Sequence, residues 1–341
     1  MAGEGTVLVT GGSGYIGGWC VIAALQQGHR VKTTVRNLAR EAEVRAMIGK
    51  VIDPGDRLTF HAVDLTADAG WDEAVAGCDY VLHVASPLGV AEPKDPEVLI
   101  GPAREGARRA IGAAIKAGVK RVVLTSSVAA TSSSASGDTL CDEQQWTDLA
   151  DPKLSAYARS KTIAEKAAWE LIGAAGGATT LATVNPSLVI GPVLGSDFSE
   201  SIQVVERLVA GRVPGLPRLG FNIVDVRDVA DLHLRAMTAP DAAGQRLIAA
   251  GAWAWMTDLA DLLRARLAPE DARRVPTRKV PDFVVRLVGL VDRDLGSVVP
   301  DLGRKHDFSS AKAQSMLGWK PRPLDETILD CARSLIAEGA V

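Results

Sequence analysis

Tyr157 and Lys161 are the two residues of this sequence whose types and spacing most clearly suggest proton-transfer chemistry. They stand four residues apart in SAYARSK, and the chain continues as TIAEKAAWE, a pattern that predicts a helix. Residues four apart lie about one helical turn from each other, on the same face. A phenol is a weak acid at neutral pH, but a neighbouring ammonium group favours its ionised form. The pair can therefore supply a proton donor and a group that tunes it.

Hydroxyl residues end the apolar run KRVVLTSS, the fifth predicted strand. Thr125, Ser126 and Ser127 follow one another there. Ligands of parallel sheets bind at the carboxyl ends of the strands, so these hydroxyls are expected at a binding edge. A serine at that edge can donate a hydrogen bond to a carbonyl oxygen while Tyr157 delivers a proton.

Three glycines of TGGSGYIGG, at positions 11, 14 and 17, form a second candidate site. They stand between a predicted strand and a predicted helix. Gly11 permits a tight turn, Gly14 lets the backbone approach a pyrophosphate, and Gly17 allows close packing of the helix on the strand. The positive end of the helix then faces the phosphates. The alternative is a glycine-rich turn that merely opens a helix, but the flanking strands favour a dinucleotide site.

Arg36 ends the second predicted strand, where the adenosine ribose of a dinucleotide would lie. NAD-selective sites usually have an acidic residue here, whereas this chain has Arg36 and, one turn later, Arg40. Guanidinium groups suit a 2′-phosphate, so the predicted cofactor is NADP(H). Asp64 and Leu65 follow the third strand and are placed to meet adenine, although Asp64 could instead cap the next helix.

Short apolar runs alternate with segments of helical length over the first part of the chain. This alternation predicts βαβ units and therefore an α/β fold, a doubly wound parallel sheet of the Rossmann type. The runs cover residues 6 to 10, 29 to 35, 56 to 63, 79 to 85, 120 to 127 and 179 to 192.

The pattern becomes irregular after Pro192, where prolines punctuate the sequence. A helix that opens on Asp228 is predicted over residues 225 to 237, and a further strand over residues 244 to 250. We therefore predict an NADP-binding domain and a smaller C-terminal substrate-binding domain. The first covers residues 1 to 192 and is rejoined by about 221 to 250, and the second covers 193 to 220 and 251 to 341.

The composition excludes several classes of protein. The 341 residues include 47% hydrophobic residues, enough for a sizeable core. The 38 basic and 41 acidic residues give a net charge of −3, so there is no basic field for nucleic acid or an anionic membrane. No apolar run approaches the roughly 18 residues of a membrane span, and no charged region followed by an apolar stretch precedes the first predicted strand, so we expect a protein that is not exported.

The four cysteines form no CxxC pair, which argues against a zinc site or a disulfide framework. We expect reduced thiols, no metal, and a soluble cytoplasmic protein that is a monomer or homodimer and acts on a small molecule.

Taken together, the motifs resemble those of the extended short-chain dehydrogenase/reductase family. TVRN, HVASP, DEQQW and NPSLVIGP are most similar to its dihydroflavonol reductase, cinnamoyl-CoA reductase and aldehyde reductase branch. The matching segments are TGGSGYIG (10 to 17), DL (64 to 65), HVASP (83 to 87), LTSS (124 to 127), YARSK (157 to 161), NPSLVIGP (185 to 192), VDVRDVADLH (224 to 233) and LGWKPRPLDE (317 to 326).

The resemblance implies roles for individual residues. Ser127 matches the catalytic serine, with Ser126 as the alternative, and Tyr157 matches the general acid. Lys161 matches the residue that lowers the pKa of the tyrosine and binds the nicotinamide ribose. The implied cofactor contacts are Gly11, Gly14, Tyr15, Ile16, Gly17, Arg36, Arg40, Asp64, Leu65, Val84, Ala85, Ser86, Thr125, Tyr157, Lys161, Pro186, Leu188 and Val189.

The implied activity is that of an NADPH-dependent reductase of an aldehyde or ketone with an apolar or aromatic body, reversible as an alcohol dehydrogenase. One alternative is a nucleotide-sugar epimerase or dehydratase, for whose diphosphate Arg207, Arg212 and Arg218 are available. A 3β-hydroxysteroid-type dehydrogenase and a non-catalytic NADP-binding sensor are the others. Trp253, Trp255 and the loop at 131 to 140 are open to two interpretations, as borders of the substrate or as packing and solvent-facing residues.

Overall fold

The computed structural model describes residues 5–87, 93–133, 137–195, 199–290, 296 and 298–341. Its strands are β1 (Thr6–Thr10), β2 (Arg30–Val35), β3 (Leu58–Ala62), β4 (Tyr80–His83), β5 (Arg121–Thr125), β6 (Thr139–Cys141), β7 (Thr180–Pro186), β8 (Leu188–Ile190), β9 (Gly220–Asp225), β10 (Arg246–Ala249), β11 (Trp253–Trp255) and β12 (His306–Phe308).

The helices alternate with these strands through the first half of the chain. They are α1 (Tyr15–Gln26), α2 (Glu41–Gly49), α3 (Trp71–Val75), α4 (Glu97–Lys116), α5 (Ala156–Ala175), α6 (Gln203–Val209), α7 (Val226–Thr238), α8 (Met256–Arg266), α9 (Pro269–Ala272), α10 (Asp282–Val288), α11 (Ala311–Leu317) and α12 (Leu324–Ala337).

A seven-stranded parallel sheet forms the centre of the molecule, in the order β10–β7–β5–β4–β1–β2–β3. The chain winds outward in opposite directions from β1 and β4, and such a switch point opens a ligand crevice at the carboxyl ends of the strands. This order confirms the predicted doubly wound α/β fold.

Both faces of the central sheet are covered by helices, which explains why consecutive residues of β1 and β5 are apolar and buried. Val7 and Val9 of β1 pack in a cluster with residues of α1, α2 and α7. Leu8, between them, points to the opposite face and packs with residues of α3 and α4. Burial of each such side chain contributes roughly 1.5–3 kcal/mol to folding.

A second hydrophobic cluster lies in the later part of the chain. It includes Ile202, Leu259 and Leu335, from the segment before α6, from α8 and from α12. A small sheet in the order β11–β9–β8 belongs to this region, whereas β10 returns to the central sheet beside β7. The division into two domains at Pro192 stays a prediction.

Two expectations for individual elements are corrected by the structure. Residues 179 to 192 form two strands rather than one: β7 ends at Pro186, and β8 begins at Leu188 and pairs with β9 in the small sheet. Helix α7 opens on Asp225, whose carboxylate accepts the Arg227 N–H at 2.8 Å. Asp228 lies inside the helix, where its carboxylate pairs with Arg322.

All four cysteines are buried and unpaired. Across the described ranges, no helix has the length and apolar character that crossing a membrane would require.

Candidate active site

A cleft of about 1790 Å³ opens at the carboxyl ends of the central strands. The residues predicted for catalysis and for cofactor binding all line this one cleft. They are Gly11, Gly14, Tyr15, Ile16, Gly17, Arg36, Arg40, Asp64, Leu65, Val84, Ala85, Ser86, Thr125, Ser126, Ser127, Tyr157, Lys161, Pro186, Leu188 and Val189. Their shared location supports the predicted roles, which stay predictions.

The glycine turn brings β1 and α1 together with no side chain between them. Gly11 has φ 73°, in the left-handed region that favours glycine. A Cβ on Gly17 would lie 2.1 Å from the Gly11 carbonyl oxygen, so only glycine fits there. Sequence reasoning missed Gly12, where a Cβ would lie 2.0 Å from the Thr33 hydroxyl oxygen.

The amino end of α1 faces the cleft with its charge uncompensated. The helix has no acidic residue in its first turn, and Gly14 at its N-cap supplies no side chain. The N–H groups of the first turn and the helix dipole are therefore available to a phosphate. This cradle fits the pyrophosphate of the predicted NADP(H).

Thr10 holds the loop after β4 against the glycine turn, a contact that sequence reasoning did not identify. Its hydroxyl oxygen accepts the N–H groups of Val84 and Ala85, both at 3.0 Å. With two donors on the oxygen, the hydroxyl donates its own proton to His83 Nδ1 at 2.9 Å. Burial lowers the pKa of His83 to about 3, so the ring is a neutral acceptor within the fold.

The adenosine end of the cleft contains the predicted basic residues. Arg36 lies exposed directly after β2. Arg40 donates to the Glu43 carboxylate at 2.8 Å and 3.0 Å. Asp64 closes a turn by accepting the N–H and hydroxyl of Thr66 at 2.7 Å and 2.6 Å, bonds that hold the pKa of this carboxyl below its usual value. Asp64 therefore does not cap α3.

Helix α5 positions Tyr157 and Lys161 in its first two turns. Ser155 sets the start of the helix, because its hydroxyl accepts the Ala158 N–H at 3.1 Å. Lys161 Nζ lies 5.9 Å from the centre of the Tyr157 ring. The two side chains therefore share a face, as their spacing predicts.

The two candidate serines point in different directions. Ser126 donates to the Glu165 carboxylate at 2.5 Å and is thus turned into the protein. The Ser127 oxygen accepts the Ala129 N–H at 3.1 Å, which leaves its proton to donate, and the side chain is hydrogen-bonded to Tyr157. This geometry favours Ser127 as the catalytic serine.

Burial sets the protonation of the Tyr157 and Lys161 pair. It raises the pKa of Tyr157, although 37% of the residue is open to the cleft, and the hydrogen bond with Ser127 only partly offsets this. It lowers the pKa of Lys161 to about 8, with a partial offset from the charge of Glu165. The expected lowering of the Tyr157 pKa by Lys161 is not seen here: burial and the charge of Glu200 raise it, while the Ser127 hydrogen bond lowers it. At neutral pH Tyr157 carries its proton and can act as an acid.

A buried carboxylate on α5 is the main feature that sequence reasoning missed. Glu165 is 0% exposed and accepts from Asn185 Nδ2 at 2.8 Å and from Arg246 Nε at 2.6 Å. The Arg246 guanidinium also stacks on the Trp146 ring, 3.7 Å from its centre. These contacts join α5 to the ends of β5, β7 and β10.

Thr125 and His233 form a second buried contact below the cleft. His233 Nδ1 donates to the Val229 carbonyl at 2.7 Å, so its Nε2 accepts the Thr125 hydroxyl at 2.7 Å. Burial lowers the pKa of His233 to about 4, which keeps the ring neutral. The Thr125 hydroxyl proton is thus used in a hydrogen bond within the protein.

The remaining wall of the cleft combines apolar side chains with polar ones, among them Asn222 and His306. Trp253 lines it and packs edge-on against Trp255, with ring centres 5.6 Å apart. Ser132 and Ser133, from the loop at 131 to 140, also line it, while residues 134 to 136 of that loop lie outside the described residues. Further apolar residues of this wall are Val204, Leu219, Phe221, Val298 and Phe308.

The three arginines considered for a substrate diphosphate do not line the cleft. Arg207 donates to Gln203 at 2.9 Å on the exposed side of α6. Arg212 pairs with Glu206, and Arg218 pairs with Asp282 at 3.1 Å.

Residues 7–251 match the profile of the NAD dependent epimerase/dehydratase family. The chain is 38% identical to cinnamoyl-CoA reductase 2 of Arabidopsis thaliana over 249 residues, which cover 71% of this chain and 72% of that protein. It is 36% identical to an anthocyanidin reductase of Vitis vinifera over 299 residues, 82% of this chain and 84% of the relative.

A solved structure shares the whole architecture. Yeast methylglyoxal/isovaleraldehyde reductase Gre2, complexed with NADPH, superimposes with a TM-score of 0.82 and 28% identity, covering 98% of this chain and 100% of the yeast chain. These similarities confirm the predicted resemblance to the dihydroflavonol reductase and cinnamoyl-CoA reductase branch.

Proposed function

Because the chain belongs to the NAD dependent epimerase/dehydratase family, we propose that it reduces aldehydes or ketones with an apolar or aromatic body, using NADPH. The chain is an NADP-dependent oxidoreductase and, like its relatives, a reductase of carbonyl compounds. The observation that carries this proposal is the convergence of Ser127, Tyr157 and Lys161 on one cleft that also presents aromatic and aliphatic side chains.

NADPH, when bound, supplies the hydride that reaches the carbonyl carbon. Tyr157 then donates its proton to the carbonyl oxygen, and its raised pKa keeps that proton available at neutral pH. The Ser127 O–H, which donates to Tyr157 in this structure, can turn to the same oxygen and stabilise the developing charge. Lys161, 7% exposed, holds a positive charge next to the phenol.

The apolar side chains of this cleft support a substrate body that is hydrophobic. Phe221 and Trp253 offer aromatic surface, and aromatic surfaces pack well against planar ligands. The names of the relatives agree with this, because cinnamoyl and anthocyanidin groups are aromatic and isovaleraldehyde is aliphatic.

A nucleotide-sugar substrate finds little support in this cleft. The diphosphate of such a substrate requires cationic side chains, and Arg207, Arg212 and Arg218 all lie outside the cleft. Arg36 also replaces the acidic residue typical of NAD-selective sites.

The proposed function is tested by following NADPH consumption with a panel of aldehydes, ketones and diketones, and with UDP-sugars. We expect carbonyl-dependent oxidation of NADPH, slower oxidation of NADH, and no reaction with UDP-sugars. Replacing Arg36 with Ala should raise the KM for NADPH about 10- to 100-fold, since charge-assisted hydrogen bonds to the 2′-phosphate are lost.

Arg30→Ala is the matched control, because Arg30 begins the same strand and its side chain is 66% exposed. It should leave both cofactor constants unchanged. Conversion of UDP-sugars without net NADPH consumption would contradict the reductase function. Equal KM values for NADPH in the Arg36→Ala variant and the parent would contradict the role of Arg36.

The pH dependence of carbonyl reduction is expected to reflect the ionisation of Lys161. Because burial lowers the pKa of Lys161 to about 8, its ammonium is intact below that pH and is lost as the pH rises through it. We expect kcat/KM for carbonyl reduction to be constant near neutrality and to fall about tenfold per pH unit above about pH 8.

A stopped-flow or initial-rate profile with saturating NADPH provides the measurement. His83 and His233 have pKa values of about 3 and about 4, so neither should produce an inflection between pH 5.5 and 7. A profile that stays flat to pH 10 would show that the ammonium form is not needed.

A further inference from the structure

Charged side chains of both signs line the cleft, and their distribution differs between its two ends. Arg36 and Arg40 lie at the adenosine end, after β2. The wall formed by the described residues from 199 onward contributes Glu200 and Asp301. No lysine or arginine lines that wall in the described ranges. A substrate that rests there therefore meets the carboxylates of Glu200 and Asp301, with His306 beside Asp301 and the Lys161 ammonium behind Tyr157.

Of the two acidic residues of this wall, Glu200 is the one whose negative charge acts on Tyr157, the proposed proton donor. It begins a short 3-10 helix, Glu200–Ile202, and its carboxylate has no ion pair or hydrogen bond with a described residue. Asp301 differs, since one of its oxygens lies 3.4 Å from His306 Nε2. The negative charge of Glu200 acts on Tyr157 and adds to the rise in the pKa of the phenol.

We propose that Glu200 is a specificity-determining residue that excludes anionic carbonyl compounds and admits uncharged or cationic ones. This inference rests on the proposed reductase function. A carboxylate next to the substrate carbonyl would stand close to both Tyr157 and Glu200. Two like charges roughly 6 to 12 Å apart, at an effective dielectric of about 20, repel each other enough to lower binding about 10- to 100-fold. A hydroxyl or ammonium group at the same place would instead donate to Glu200.

Methyl benzoylformate and benzoylformate provide a matched test, because both are aryl ketones and only the acid is charged. With the parent protein and NADPH we expect kcat/KM for the ester to exceed that for the acid by about 10- to 100-fold. Glu200→Gln should reduce this ratio about tenfold, mainly by raising kcat/KM for the acid. Glu170→Gln is the control, since it removes the same charge from an exposed position on α5 outside the cleft.

Equal kcat/KM values for ester and acid in the parent, or an unchanged ratio in the Glu200→Gln variant, would overturn the inference. The same change in the Glu170→Gln variant would also overturn it, because the effect would then come from net charge alone. Reduction of other carbonyl compounds but not of the ester would contradict the inference and leave the reductase function standing. If no carbonyl compound is reduced, the proposed function itself fails and the inference fails with it.

Discussion

Replacing Tyr157 with Phe is expected to lower kcat for carbonyl reduction by about 10²- to 10⁴-fold, because the oxygen of the product then lacks its proton donor. NADPH affinity should stay nearly the same, since the ring and the neighbouring Lys161 remain. Cofactor binding is measured by fluorescence titration and turnover by NADPH consumption. The two readouts separate loss of chemistry from loss of the site.

The chain offers a matched control in Tyr80. This tyrosine begins β4, half-buried beneath Lys120, whose Nζ lies 5.7 Å from the ring centre, and it does not line the cleft. Tyr80→Phe should retain full activity. If the Tyr157→Phe variant kept parental kcat, Tyr157 would not be the acid, and another group would have to deliver the proton.

The central sheet was predictable because each of its strands is a short apolar run next to a helical pattern. The register of apolar residues along β1 already indicates burial on both faces, as Val7, Leu8 and Val9 show. The break between β7 and β8 at Ser187 was harder to predict, because the residues on both sides of it are apolar and the only turn signal before it is Pro186. Only the pairing of β8 with β9, which joins Leu188 to Ile223, reveals that the chain changes sheets.

The parts of the candidate site that were predictable are those formed by residues close together in the sequence. The glycines of the first turn and the Tyr157 and Lys161 pair are defined by residues close in sequence, and all of them line one cleft. Glu165 is different. In TIAEKAAWE it has the sequence context of an exposed helical residue, and its partner Arg246 is 81 residues away. Such a contact depends on the tertiary fold and has no local sequence signal.

Loss of the Arg246 guanidinium is expected to destabilise the protein strongly. Arg246→Met leaves the Glu165 charge buried without its cation, at a cost of about 3–5 kcal/mol in the free energy of unfolding. Urea denaturation followed by circular dichroism measures this cost. Arg266→Met is the matched control, because Arg266 pairs with Asp325 at 3.4 Å on the surface, and it should cost less than about 1 kcal/mol.

The double variant Glu165→Gln/Arg246→Met distinguishes a charge effect from a packing effect. If the unpaired carboxylate causes the loss, neutral Gln should restore at least about 1 kcal/mol, since it still accepts hydrogen bonds from Ser126 and Asn185. If the double variant is no more stable than Arg246→Met, the cost comes from the lost stacking on Trp146.

The Glu165→Gln single variant then connects this buried charge to catalysis. Glu165 lies one turn beyond Lys161 on α5, and its negative charge raises the Lys161 pKa against the effect of burial. Without that charge the ammonium should lose its proton at a lower pH, so the fall in kcat/KM should begin below about pH 8. A variant that folds but keeps the parental pH profile would show that Glu165 serves the fold alone. A shifted profile would show that one buried carboxylate both joins the sheet to α5 and keeps Lys161 charged.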